Sequence, residues 1–207
     1  MQLLEYLEDI DSLLGPLALP PITKDLYYFE LELQMVIVQY SSANCIDVRQ
    51  GLALSRTFIK KQDELIVEHD FFRIPLANRN LGIGKSLLRF SLEYYINMDV
   101  DKIKVEAALD DGGYVWARAL FAATEPAEVT AILTKASGEL PPSRFRFVKR
   151  IYNNYYDKHP GGRAFPMNKW AELPGMEQIL RGCHWHGEID LNNNELLANF
   201  INYVGQE

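Results

Sequence analysis

At 207 residues, the chain is long enough for one large domain or a domain with a sizeable extension. Its 48% hydrophobic and 24% charged content is that of a globular protein and excludes disorder as the default state. A net charge of -7 excludes a broad nucleic-acid surface, which needs clustered Lys and Arg. The two cysteines, Cys45 and Cys183, make no disulfide framework and fit a reducing cytoplasm. No stretch reaches the length of a membrane span. The N-terminal carboxylates Glu5, Glu8, Asp9 and Asp11 are unlike the basic start of a secretory signal, so the expected location is cytoplasmic.

In chain order, residues 1–14 read as an amphipathic helix, with Leu3, Leu4, Leu7, Ile10 and Leu14 at helical spacing. Gly15, Pro16, Pro20 and Pro21 end it in an extended link. Residues 26–40 read as a half-buried strand, because Phe29, Leu31, Leu33 and Met35 alternate with Glu30, Glu32 and Gln34. A turn follows at 41–44, then a strand at 52–59. Lys60-Lys61-Gln62-Asp63 forms a hairpin loop into a strand at 64–74, so the three strands predict an antiparallel meander. A helix is predicted at 83–97, with Ile83, Leu87, Phe90 and Tyr94 on one face, and a buried strand at 102–109. Strand, helix and strand in this order imply a parallel crossover. Asp110-Asp111-Gly112-Gly113 reads as a polar turn into a helix at 114–123. Beyond it, 127–136, 144–156, 168–173 and 194–203 read as helices and 183–191 as a strand.

The stretch Arg79-Asn80-Leu81-Gly82-Ile83-Gly84-Lys85-Ser86 stands at the junction of strand and helix. The first amides of a helix lack partners inside it, and the helix dipole is positive there. Gly82 and Gly84 allow close approach of the backbone, and Lys85 and Arg79 add positive charge. A phosphate or pyrophosphate held by backbone amides is the expected ligand. The Rossmann fingerprint fails because Leu87 stands at its third glycine position, and the Walker pattern fails because Arg79 stands at its first. The competing reading is a glycine turn that only joins two core elements.

What remains, R-x-x-G-x-G after a strand, resembles the acyl-CoA-binding motif of the GNAT acetyltransferase superfamily over residues 65–121. The resemblance implies an α/β fold with a mixed, mostly antiparallel central sheet flanked by helices. Residues 1–123 would form the acyl-CoA-binding core, and 124–207 a mainly helical extension packed on it and able to complete the sheet. A core of this kind closes with two further strands soon after residue 121; here helices intervene or replace them. The implied function is transfer of an acetyl or related acyl group from a CoA thioester to a small-molecule or protein amine. Neither nucleic acid nor membrane is an expected partner. The alternative is a binding or interaction module without turnover.

The resemblance assigns acetyl-CoA contacts to the backbone of Phe72 and Ile74 and to Arg79, Asn80, Leu81, Gly82, Ile83, Gly84, Lys85 and Ser86. For the base it points to the strand carrying Glu64, Glu68 and His69, of which Glu68 ranks first. Glu68 and His69 are expected on opposite faces, since side chains alternate along a strand. For the acid that protonates the leaving thiolate, the candidate is Tyr114. The pattern departs there: Trp116 stands where the tyrosine falls, about 200° around the helix from Tyr114, and Leu120 replaces a glycine. Cys183, His184 and His186 cluster in sequence, but no fourth ligand lies at a suitable spacing, so no metal is expected. His159-Pro160-Gly161-Gly162-Arg163 reads as a surface turn rather than a second anion loop. Packing, rather than nucleobase stacking, is the expected role of Tyr152, Tyr155 and Tyr156.

Overall fold

The computed structural model describes residues 2–15, 22–30, 34–42 and 52–205. The proline link at 16–21, Leu31, Leu33, Asn44 and Cys45 lie outside the described residues. The fold class is α/β, with a mixed sheet flanked by helices. The chain divides into two units, one of residues 1–103 with 191–194 and 201–207, the other of residues 104–190 with 195–200.

In the first unit, α1 (Gln2–Leu14) precedes four strands, β1 (Ile22–Glu30), β2 (Gln34–Ser42), β3 (Ala53–Lys61) and β4 (Glu64–Arg73). They pair in sequence order as an antiparallel meander. The single strand expected at 26–40 is two strands, with Glu30 opposite Gln34 across the break. Alternation alone cannot place a reversal that carries neither Gly nor Pro. Ser41 and Ser42, expected in a turn, end β2. The loop after β3 is only Gln62-Asp63, since Lys60 and Lys61 remain paired with Leu65 and Glu64.

Helix α2 (Ile83–Asn97) has the expected bounds. It buries Ile83, Leu87, Leu88, Ser91, Leu92 and Tyr95. Phe90 and Tyr94, expected on that stripe, lie instead beside Tyr6 of α1, at ring distances of 5.6 and 5.2 Å. Two partners therefore share the helix. Leu87 C=O accepts the Ser91 hydroxyl at 2.7 Å, which leaves the Tyr6 hydroxyl to donate to Ser91 Oγ at 3.1 Å. α2 stops at a left-handed Asp99, φ 54, where Val100 N–H reaches Tyr95 C=O and Asp99 N–H reaches Ile96 C=O.

β5 (Lys102–Ala107) begins beside the start of β4. Asp101 N–H donates to Leu65 C=O at 2.8 Å, and Leu65 N–H returns to Asp101 Oδ2 at 2.7 Å. Two strands whose beginnings meet this way run parallel, as a crossover through α2 requires.

The second unit holds α3 (Leu109–Arg118), β6 (Ala122–Ala123), α4 (Pro126–Glu139), α5 (Pro142–Lys158), α6 (Met167–Ala171), α7 (Met176–Leu180) and β7 (Trp185–Asp190). Part of α8 (Asn194–Gly205) belongs to it as well. β6 pairs antiparallel with β7, and the helices α4, α5, α6 and α7 lie between them in the chain. Pro126 and Pro142 open α4 and α5 at a helical position that needs no N–H. The core gathers Phe165, Met167, Trp170, Met176, Leu180 and Trp185, all 0% exposed.

The polar turn expected at 110–113 is part of α3, and the expected helix end at 119–123 is a turn and β6. Gly113 explains the first difference. A Cβ there would lie 2.2 Å from Leu180 C=O and 2.8 Å from Cys183 C=O, and the Gly113 carbonyl accepts Trp185 Nε1–H at 3.1 Å. The glycine serves close helix packing, not a bend. Gly113→Ala is expected to destabilise the protein by about 2–4 kcal/mol, because backbone must move to admit one methyl group. Chemical denaturation checks this, with Gly138→Ala, where the space is open and alanine is the better helix former, as the comparison that should not destabilise.

Candidate functional site

The end of β4 is shaped by a bulge. Ser55 pairs with Phe71 and Thr57 with Glu68, so Arg56 alone faces His69 and Asp70. Asp70 Oδ2 holds the irregularity by accepting the Thr57 and Ser55 hydroxyls at 2.8 and 3.1 Å. Arg56 is 1% exposed; its Nη1 donates to Ser55 C=O at 2.7 Å and to Phe71 C=O at 3.0 Å, and its guanidinium stands 5.7 Å from the Phe72 ring centroid. Nothing in the spacing of the sequence marked Arg56 for this role.

From Ile74 the chain passes through Pro75 and a short turn at Leu76–Asn78 to Arg79, whose Nε donates back to Ile74 C=O at 3.3 Å. Asn80 and Gly82 are left-handed, with φ of 63 and 75°. Such angles suit Gly and are tolerated by Asn. Leu81 between them is 65% exposed. The first backbone bond of α2 runs from Ser86 N–H to Gly82 C=O at 2.9 Å, and no side chain caps the helix. The amides of Ile83, Gly84 and Lys85 precede that bond and have no partner within the helix.

The two glycines differ. A Cβ on Gly82 would meet nothing within 4 Å, so the turn is open there. A Cβ on Gly84 would lie 3.4 Å from both Ile74 Cδ1 and Phe72 Cε1. Gly84 brings α2 close to the end of β4, while Gly82 provides the left-handed cap. The structure thus brings Phe72, Ile74 and residues 79–86 together at one junction. Lys85 is drawn aside: its Nζ lies 5.0 Å from the Tyr203 ring centroid in α8.

Glu68 is half-buried, opposite Thr57. His69 is 2% exposed, and its Nε2 is joined to Tyr95 hydroxyl of α2 at 2.9 Å. It is a core histidine.

Tyr114 lies in the second unit, half-buried, with the Arg181 guanidinium 5.6 Å from its ring centroid. Arg181 also binds Glu177 at 2.9 Å and Asp111. Trp116 is 7% exposed and meets Phe121 edge-to-face at 5.1 Å. Leu120 is left-handed, φ 69, with Phe121 N–H bonded to Trp116 C=O and Leu120 N–H to Ala117 C=O. That is the Schellman arrangement ordinarily built with glycine.

Cys183 points away from the neighbouring histidines: its Sγ donates to Ile179 C=O at 2.8 Å, and burial pushes the thiol up. His184 and His186 meet two residues that spacing did not select. Glu106 Oε1 is 2.8 Å from His184 Nε2, and Glu128 Oε1 is 2.8 Å from His186 Nδ1. Tyr152, Tyr155 and Tyr156 are half-buried and pack on Phe165 at ring distances of 6.3, 5.2 and 5.8 Å. At 159–163 the chain makes a turn closed by Gly162 N–H to His159 C=O at 2.8 Å.

Among the described residues, no helix is long and apolar enough to cross a membrane. No family model matches the sequence, and no curated protein matches it.

Burial first, and the Arg56 charge second, hold the His69 imidazole well below its usual value. The folded state therefore resists a proton that the unfolded state accepts. Stability is full above about pH 6.5 and falls as pH drops toward the depressed folded-state value. The denaturation midpoint is expected to be lower near pH 5.5 than near pH 7.5. His69→Gln, which cannot take the proton, should narrow that difference; an undiminished difference in the variant would assign it to other groups.

Proposed function

We propose that the chain is an acyltransferase of the GNAT type, using acetyl-CoA or a related thioester to acylate an amine. The observation that carries this reading is the start of α2: uncapped amides of Ile83, Gly84 and Lys85 after a left-handed, unobstructed Gly82. Three aligned donors and a helix dipole suit a pyrophosphate. Arg79 and Lys85 supply charge, while Asn80, Leu81 and Ser86 complete the turn. The backbone of Phe72 and Ile74 carries the pantetheine arm. The β4–α2–β5 crossover and the paired closing strands β6 and β7 support the same fold reading.

In the reaction the amine nitrogen attacks the thioester carbonyl. A C–N bond forms and the C–S bond breaks. Glu68, directly or through water, takes the amine proton, and Tyr114 gives a proton to the leaving thiolate. The acceptor is a small-molecule or protein amine.

A second reading, a binding module without turnover, has its own observation. Trp116 is buried against Phe121 at the position where the resemblance calls for a tyrosine, and Tyr114 is faced by Arg181.

Calorimetric titration with acetyl-CoA and a thiol-release assay over an amine panel decide between them. Binding with turnover supports the transferase; binding alone supports the module; absence of binding up to about 1 mM overturns the transferase and any CoA-dependent module. Lys85→Glu sits at the third helical position, where a carboxylate favours the helix. It is expected to leave stability unchanged or slightly higher and to weaken acetyl-CoA about tenfold or more; unchanged affinity would remove the site. For the transferase, Tyr114→Phe is expected to lower kcat about a hundredfold with binding retained.

A further inference from the structure

The side chains of Glu106 in β5, His184 before β7, His186 in β7 and Glu128 in the first turn of α4 converge on one exposed face of the second unit. One ligand atom each from Glu106, His184 and His186 lie within 4.8 Å of one another. The two imidazoles stand edge-to-face with centroids 5.0 Å apart. Glu128 is fixed from both ends: Oε2 accepts the His186 backbone N–H at 2.7 Å, and Oε1 faces His186 Nδ1 at 2.8 Å and His184 Nδ1 at 3.9 Å.

A carboxylate on Nδ1 settles the His186 tautomer. Nδ1 carries the proton, and the Nε2 lone pair is left for another partner. This is how metal-binding histidines are oriented by an outer carboxylate. Ligand atoms around one zinc ion, bound at about 2.0–2.2 Å, stand about 3.3 Å apart in a tetrahedron. The ligand atoms of Glu106, His184 and His186, within 4.8 Å of one another, would have to close by up to about 1.5 Å to reach that spacing. Their side chains are 60, 50 and 48% exposed, so small rotations close the remainder. Two imidazoles and a carboxylate are a nitrogen-rich set that suits zinc better than magnesium or calcium.

We propose that Glu106, His184 and His186 form a zinc site, with Glu128 as the positioning residue that orients His186. The fourth coordination position is open to water. The ion ties β5, β7 and α4 together, since its ligands and their orienting carboxylate come from these elements. The inference is independent of the acyltransferase reading, as it uses none of the residues assigned there.

The test is titration of the chelator-stripped 207-residue chain with Zn²⁺ alone by calorimetry, and with Co²⁺ alone by visible absorption. One equivalent should bind with micromolar or tighter affinity, and Co²⁺ should give the d–d bands of a four- or five-coordinate ion. Glu106→Gln, His184→Ala and His186→Ala are each expected to weaken zinc about tenfold or more, and Glu128→Gln by about tenfold with the stoichiometry kept. His159→Ala, which removes a histidine outside the cluster, should change nothing. Zinc should also raise the Tm of the parent protein and not that of the His184→Ala His186→Ala double variant. Lack of saturation by about 100 µM zinc, or affinity undiminished in the double variant, overturns the proposal. If a histidine variant proves misfolded by circular dichroism, the exposed, nearly isosteric Glu106→Gln decides.

Discussion

The start of the parallel crossover hangs on one carboxylate. Asp101 accepts Leu65 N–H at Oδ2 and Asn192 Nδ2–H at Oδ1, at 2.7 and 2.8 Å. Its own N–H and C=O bond to Leu65 C=O and Leu191 N–H, each at 2.8 Å. The Asn192 amide, then the Leu65 amide, hold the Asp101 carboxyl below its ordinary value, as expected when donors favour the charged form. This node aligns the beginning of β4 with the beginning of β5 and with the chain just after β7. Once two parallel strands start side by side, the connection must leave from the far end of the first and return. The start of α2 is therefore placed about 30 Å along β4 from the node, at the junction where three helix amides remain without partners in the helix.

Within the first unit, the helix that makes the return also explains the buried polar groups beneath it. Tyr95 of α2 reaches His69, whose imidazole lies next to the Arg56 charge. Arg56 in turn bonds to Phe71 C=O, at the bulge that Asp70 stabilises. A neutral histidine is tolerated beside a guanidinium because the carbonyls of Ser55 and Phe71 accept from Arg56. The bulge, the buried arginine and the histidine are thus one arrangement, and it sets the end of β4 against which Gly84 packs.

How much of this was legible in the sequence depends on whether the cause was local. The bounds of α2 were legible because its start is a left-handed glycine and its apolar period is long. The hairpin between β1 and β2 was not, because residues 31–33 are Leu-Glu-Leu and continue the alternation of the strands. The start of α3 was misplaced because a glycine pair suggests a turn, whereas Gly113 answers to carbonyls of Leu180 and Cys183, about seventy residues away in the chain. The glycine junction was legible as a turn between a strand and a helix start, but the division of labour within it was not: only side-chain positions show that Gly84 faces Phe72 and Ile74. The His184–His186 pair was visible, yet Glu106, 78 residues from His184, and Glu128, 58 residues from His186, were out of reach of any spacing rule.

Leu120 shows why a departure in sequence need not be a departure in structure. The chain closes α3 with both bonds of a Schellman motif and takes φ 69 at a residue that has a Cβ. A left-handed leucine costs about 1–2 kcal/mol. Burial of Phe121, 0% exposed and edge-on to Trp116, supplies a gain of comparable size. The missing glycine is then a cost carried by packing, and it leaves the path of the backbone as glycine would set it. Trp116 is different, because an indole has no hydroxyl to give a proton to a thiolate. For the proposed transferase, the tryptophan rather than the leucine bears on chemistry, and the proposed acid role falls to Tyr114, whose ring is faced by Arg181.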